Sequence, residues 1–496
     1  MFFFIVRRFL VSIPILLASS LLSFFLVTIS GDPLAELRQS RDPNREQTIA
    51  QMRQLLELDV PFHERYLKWL TGLFRGDFGV NRDGQEVGAL LSQAMGTTFR
   101  LIILATILSI LIGVVVGIIT AVRQYSALDY TSTFAAFLFF SLPVFWLAVM
   151  LKEFGAIKFN NYLEQPGFST VGIIVIAVLT GAMAAGLVGG DKPRRLAFFG
   201  GVAAVTGVLF AILDATDWIT NPGLSAPVVI VLALGGGVLS ALIYAPLSIR
   251  PVLLAGVAAA AVAVALSQVF DSWIDDMSWT RMLVLTLLTL GTGAAVGAIV
   301  GGEIDRTSAI RAGMTAAFLV GGIVSFDKFI SAWQPGRTIA TIGPKTPNLD
   351  APFWETMVDY FGHQVLPTMA LALIGFATFM RFTRSSMLDT LKSDYVRTAK
   401  AKGLPATQVI MRHAFRTALI PVMTVVTISF ATIIEGAVIT ERVFAWKGMG
   451  SLFVEGLTEV DPYPVMGFLV VTSISIVLLN ALADIMYAYL DPRIRQ

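Results

Sequence analysis

Directly behind Arg7 and Arg8 the chain runs from Phe9 to Ile29, about 21 residues, without a single charge. As a helix that stretch matches the hydrocarbon thickness of a bilayer, and it is longer than the apolar core of a secretory signal. No A-x-A cleavage pattern follows, so the segment reads as an uncleaved first membrane helix with the N-terminus in the cytoplasm. Comparable apolar stretches recur to the end of the chain. Hydrophobic residues make up 55% and charged residues 14% of the 496, with a mean hydropathy of +0.75. Soluble globular chains carry about 25% charged residues. The expected fold is all-α and polytopic, because lipid offers the backbone no hydrogen-bond partners outside its own helix.

The same composition excludes several functions. A net charge of +2 leaves no concentrated basic stripe for tracking phosphates, so nucleic acid is not an expected partner. Zero cysteines rule out disulfides, thiolate metal sites and cysteine nucleophiles. His63, His363 and His413 are scattered, whereas a metal site needs clustered ligands. No Ser/His/Asp set or paired-carboxylate site is recognisable, and no G-x-x-x-x-G-K-S/T loop occurs. No cofactor is therefore expected in this chain.

Between about 168 and 333 the sequence repeats itself. Three units begin at Leu179, Leu234 and Leu290 and close on Trp218-Ile219, Trp273-Ile274 and Phe329-Ile330, a period of about 55 residues. Each unit holds two Gly- and Ala-rich apolar segments joined by a short basic loop, which predicts a membrane hairpin. Lys192, Arg194 and Arg195, then Arg250, then Arg306 and Arg311 fall on one side; Asp214, Asp217, Asp271, Asp275 and Asp276 fall on the other. Small residues let such helices approach closely in lipid. The bundle is expected on the flank of the molecule.

A polar, basic segment, Asp394 to Gly403, lies between two apolar stretches. Lys392, Arg397, Lys400 and Lys402 alternate with small Ala399 and Ala401, and no proline occurs before Pro405, so the spacing predicts a short helix with basic and small faces. Gly403 sits where a helix end takes a positive φ, and Pro405 opens a second helical stretch toward Arg416. Helix, sharp turn, helix is a shape that inserts into a groove. The spacing fits a solvated loop on the positive side of the membrane equally well.

The wording of this segment, DYVRTAKAKGL, resembles the coupling loop of permease subunits in binding-protein-dependent ABC importers, specifically the first-permease type of the dipeptide/oligopeptide branch, which includes nickel transporters. Further matches are GDP (Gly31 to Pro33), RGDFG (Arg75 to Gly79), SLPVFW (Ser141 to Trp146), RFTRSSML (Arg381 to Leu388), VFAWKGMG (Val443 to Gly450) and YAYLDPRIR (Tyr487 to Arg495). The resemblance covers about residues 1–165 and 350–496. It implies the type I ABC importer transmembrane fold, with six core helices near 9–29, 97–121, 131–152, 364–384, 419–440 and 464–488, and the repeat as about six inserted membrane helices. The implied divisions are 1–30 for the first helix, 31–95 for an extracytoplasmic helical segment, 96–165 for core helices 2 and 3, 166–335 for the insert, and 336–496 for core helices 4 to 6 with the coupling loop.

The resemblance also implies an ATP-driven uptake subunit for peptides, forming half of a translocation path in a prokaryotic plasma membrane with both termini cytoplasmic. Its implied partners are a second permease subunit, ABC ATPase subunits that bind the ATP, an extracytoplasmic solute-binding protein and the lipid bilayer. The coupling loop would comprise Asp394, Tyr395, Val396, Arg397, Thr398, Ala399, Lys400, Ala401, Lys402 and Gly403. In it Arg397, Lys400 and Lys402 would supply charge-assisted contacts and Ala399 and Ala401 close approach. Amphipathic residues 30–95 could touch the binding protein or simply cap the helix ends. Glu435 and Asp484, ionisable groups at membrane depth, are candidates for the translocation path. The branch carries a small residue at the Glu435 position and proline at the Lys447 position. The contrasting reading is a self-sufficient, proton-coupled secondary transporter with Glu435 and Asp484 as proton carriers. Its repeated halves are missing here, because the repeat is threefold and confined to the insert.

Overall fold

The computed structural model describes residues 2–39, 41, 43–164, 166–188, 191–246, 249–333 and 339–490, with the backbone alone described at 2–10, 36, 187, 427–428, 430–432, 435 and 483–490. Helix α1 (Phe2–Ser30) is followed by the short helices α2 (Ala35–Gln39), α3 (Arg45–Leu55) and α4 (Phe62–Leu73), and then by α5 (Val87–Val122), α6 (Ala127–Ser141), α7 (Val144–Lys152) and α8 (Lys158–Glu164). Three hairpins come next: α9 (Thr170–Val188) with α10 (Lys192–Ala215), α11 (Ala226–Tyr244) with α12 (Arg250–Val269), and, after α13 (Asp271–Asp275), α14 (Trp279–Val300) with α15 (Arg306–Ser331). The chain closes with α16 (Phe353–Leu391), α17 (Asp394–Ala401), α18 (Ala406–Gln408), α19 (Phe415–Val443), α20 (Met449–Thr458) and α21 (Pro462–Leu490).

Among the described residues, 10 helices are long and apolar enough to cross a membrane. Helix α6 and the stretch Val144–Glu164, bent by 105° at the break between them, are together long and apolar enough for one more, and Thr170–Gly186 of α9 is a shorter apolar helix. The span expected at 131–152 is thus broken, and the reason is local. Pro143 removes a backbone donor and drives Leu142 into extended geometry, φ −83° and ψ 131°. The span expected at 419–440 is longer: helix runs from Ala406 through a π turn at Val409–Ala414 into α19.

Helices α5 and α16 form the centre, and glycine makes their contact possible. A Cβ at Gly113 would come within 2.6 Å of the Phe379 side chain, and one at Gly117 within 2.7 Å of Thr383. This G-x-x-x-G stripe lets two backbones touch where lipid supplies no hydrophobic drive. Farther along the same two helices Leu101, Ile102 and Leu371, with Ile433, Phe444, Trp446 and Met449, build the main core.

The segment from α2 to α4 caps the ends of the spans opposite α17, here called the far face. Tyr66 and Trp69 pack with Phe24 of α1, Leu91 of α5 and Met466 of α21, and the Tyr66 hydroxyl lies 2.8 Å from that of Ser20. Leu56 is buried, whereas Leu55 and Leu67 stay exposed.

The three hairpins do not pack alike. In α12 the buried face is Val252, Ala255, Gly256, Ala259, Ala260 and Ala263; in α15 the residues at the same relative positions, Ala309, Ala312, Gly313, Ala316, Ala317 and Val320, are buried too. These two faces seat each helix on its own partner and the two hairpins on each other, giving a four-helix bundle. A Cβ at Gly237 would meet the Gly256 carbonyl at 2.8 Å, so the crossing is set by backbone contact. The α9–α10 hairpin carries Phe198, Phe199 and Val202 on the corresponding face, and α10 has no buried residue. It rests on α6 instead, with Gly186 against Ala127. The bundle meets the core at the far face, where the Trp354 indole N–H donates to Ile274 O at 2.6 Å. Asn160 then receives the returning chain through two bonds to Ile339, 2.9 and 3.0 Å.

Candidate functional site

Helix α17 hangs between the ends of α16 and the helix that becomes α19. It is initiated by Ser393 in extended geometry, with Asp394 in its first turn and Lys400 in its last, charges that complement the helix dipole. It ends at Gly403, whose φ of +74° is left-handed and whose N–H donates to Lys400 O at 3.0 Å. A Cβ there would meet nothing within 4 Å, so the glycine serves backbone conformation and not packing. Pro405 starts the next helix, as its fixed φ allows.

Two faces result. Val396 and Ala399 are buried against Ala121, Met387, Val409, Ala414 and Ala418, an apolar socket made by α5, α16 and the start of α19. This corrects the expectation that Ala399 offers close approach to a partner: its methyl is consumed inside the chain. Asp394, Tyr395, Arg397, Thr398, Lys400, Ala401, Lys402 and Gly403 are exposed. The Arg397–Asp394 pair, 3.7 Å apart and open to solvent, contributes little. With Lys392, Arg412 and Arg416, also exposed, the loop presents an outward basic surface on an inward apolar anchor.

A basic residue nearby is used differently. Arg384, in the RFTRSSML motif, donates through Nε and Nη2 to the two oxygens of Asp129 at 2.7 and 2.9 Å, and Asp129 also accepts from the Tyr125 N–H at 2.9 Å. Beside it Arg381 stacks on Phe137 and Phe140. These contacts bind α6 to α16 close to the loop.

Glu435 lies on α19 and Asp484 on α21, but their side chains fall outside the described residues, as do Arg493 and Arg495. Two other carboxylates, not singled out from sequence, are buried on the far face. Glu441 is wrapped by the VFAWKGMG loop, and Asp461 accepts from the N–H groups of Arg82 at 2.6 Å and Tyr463 at 3.1 Å. The signal for Glu441 was present in Gly448 and Gly450, where any side chain would collide with that carboxylate.

The site is thus a small basic helix seated in an apolar socket at one face of a bundle of membrane-length helices, the architecture of a membrane transport component. The chain belongs to the family described as binding-protein-dependent transport system inner membrane component, whose profile matches residues 113–496, while the profile of the N-terminal membrane component of such systems matches residues 1–113. Among its relatives are the oligopeptide transport system permease protein AppB of Bacillus subtilis (strain 168), 25% identical, and the dipeptide transport system permease protein DppB of Alkalihalophilus pseudofirmus, 27% identical. A third is the dipeptide transport system permease protein DppB of Escherichia coli (strain K12), 24% identical. Each similarity covers 99% of this chain and 98% of the relative.

Proposed function

We propose that this chain forms half of the translocation path of an ATP-driven importer for peptides delivered by a solute-binding protein. The observation that carries the reading is the two-sided geometry of α17, anchored inward by Val396 and Ala399 and basic outward through Arg397, Lys400 and Lys402. The peptide transport names of the relatives supply the substrate class.

The partners in this reading are a second permease, ABC ATPase subunits and an extracytoplasmic binding protein. ATP belongs to the ATPase subunits, since the sequence holds no phosphate-binding loop. Both termini and α17 lie in the cytoplasm of a prokaryote, and the far face with α2 to α4 meets the binding protein. When the ATPases close, they displace α17. Its apolar socket hands that displacement to α16 and α19 together, and the Arg384–Asp129 pair carries it to α6. The cavity then alternates between faces by a population shift. Glu435 and Asp484 stand on two helices of this path, and Glu435→Gln should lower uptake if the carboxylate serves it.

The test is gentle purification of the tagged chain from its membrane, with mass spectrometry of stoichiometric partners and peptide uptake in liposomes. A second permease and Walker-motif ATPases, with ATP-dependent uptake, are the expected result. The chain alone, with proton-driven uptake, would overturn it.

A further inference from the structure

The far-face end of α19 is held by hydrogen bonds from several other segments. Lys152 Nζ of α7 donates to Val443 O at 3.0 Å, and the Gly343 N–H donates to Phe444 O at 2.8 Å. The chain then turns through Ala445, a non-glycine residue in the left-handed region at φ +51°, and Trp446 N–H returns to Glu441 O at 2.8 Å. That turn aims the first turn of α20 at the Glu441 side chain. Glu441 Oε2 accepts from the Ser451 N–H at 3.1 Å, with the Gly450 N–H also directed at the carboxylate. Thr98 of α5 closes the ring: its hydroxyl donates to Glu441 Oε1 at 2.5 Å and accepts from the Met449 N–H at 2.8 Å.

The three donors at the start of α20, which a helix cannot satisfy itself, are thus met by one carboxylate and one hydroxyl from two different spans. Both Glu441 and Thr98 are buried, so water cannot replace either. The other end of α20 is fastened in the same manner. Val460 is left-handed at φ +59°, a rare state for a β-branched residue, and buried Asp461 accepts from Arg82 N–H in the loop that leads into α5. Helix α20 is a strut between two carboxylate latches, each reaching to α5 or its approach.

We propose that Glu441 is a positioning residue for transport: with Thr98 it locks the far-face ends of α5, α19 and α20 into one body that does not change shape during the cycle. The rearrangement is thereby confined to the α17 face and to the remaining spans. A carboxylate fits the site because both its oxygens accept, Oε2 from backbone N–H groups and Oε1 from the Thr98 hydroxyl. An amide would turn its NH2 toward one set of donors.

The experiment uses the full complex carrying E441Q, and separately T98V, with uptake expressed per inserted copy. Because the chain has no cysteine, spin labels at single cysteines replacing exposed Ser92 of α5 and Thr458 of α20 report the latch distance with and without ATP. The expected result is one sharp distance, unchanged by ATP, in the otherwise native chain. In E441Q that distance broadens and uptake per inserted copy falls about tenfold, the effect of stranding buried donors. A purely structural role would lower the amount inserted and leave uptake per copy intact. Native uptake by inserted E441Q, or an ATP-dependent distance with Glu441 present, overturns the proposal. Should E441Q fail to insert, T98V decides in the same way, since it removes the hydroxyl without leaving a new charge.

Discussion

Asp129 and Arg384, far apart in sequence, meet in a two-point ion pair with the carboxylate buried and the guanidinium about one-quarter exposed. The pair joins the first half of a bent span to the longest helix of the chain, beside the loop that carries α17.

Removing the guanidinium leaves a buried charge. Arg384→Ala is expected to destabilise the protein by on the order of 3 kcal/mol. Arg384→Lys should recover only part, since an ammonium cannot make the parallel two-bond contact. Thermal unfolding in detergent checks both, and equal melting of the Arg384→Lys variant and the native protein would contradict this account.

Beneath α17, Ala399→Glu forces a carboxylate into the apolar socket of Met387, Val409 and Ala418. The helix should lift away, leaving insertion normal but hydrolysis uncoupled from uptake. Ala401→Glu, on the exposed side, should retain the helix. Gly403→Asp keeps its space but strains the left-handed turn, costing about 1 kcal/mol. Uptake and ATPase rates of the reconstituted complex, measured together, separate the three.

Burial pushes the Asp461 carboxyl up to about 6 from an ordinary 3.8, against the opposing N–H groups of Arg82 and Tyr463; Glu459 and Asp83 add to the rise. A raised folded-state value means the contribution to stability is fully present below the ordinary value and is lost as pH rises through about 6. Melting at about pH 5 should therefore exceed melting at about pH 7.5, other groups being equal. Asp461→Asn should shrink that difference, and an unchanged pH dependence would rule Asp461 out as its source.

In the hairpin bundle, a Cβ at Gly293 would meet the Gly313 carbonyl at 2.5 Å, whereas one at Gly321 meets nothing. Gly293→Leu should cost about 1–3 kcal/mol by prising α14 from α15. Gly321→Leu should be near neutral. Proteolysis of the α14–α15 region in detergent distinguishes them.

Length and charge placement alone determined much of this protein. An apolar run of bilayer length must be a helix, and short basic loops separate paired helices, so the spans and the three hairpins between α8 and α16 were legible from residue types. The α17 turn was equally local: Gly403 and Pro405 write a left-handed stop and a new start. Only the tertiary structure decided which faces meet. Spacing gave α17 a small face and a basic face without saying what each would meet, and the socket from α5, α16 and α19 claims Ala399. The repeat offered three similar hairpins, yet small faces on α12 and α15 close against each other while Phe198, Phe199 and Val202 keep α10 apart. Glu441 finds Thr98 on a distant span because glycines at 448 and 450 leave room for its carboxylate. Backbone preference acts within a few residues and can be read from sequence; contact between helices depends on shape complementarity across hundreds of residues, which appears only once the chain is packed.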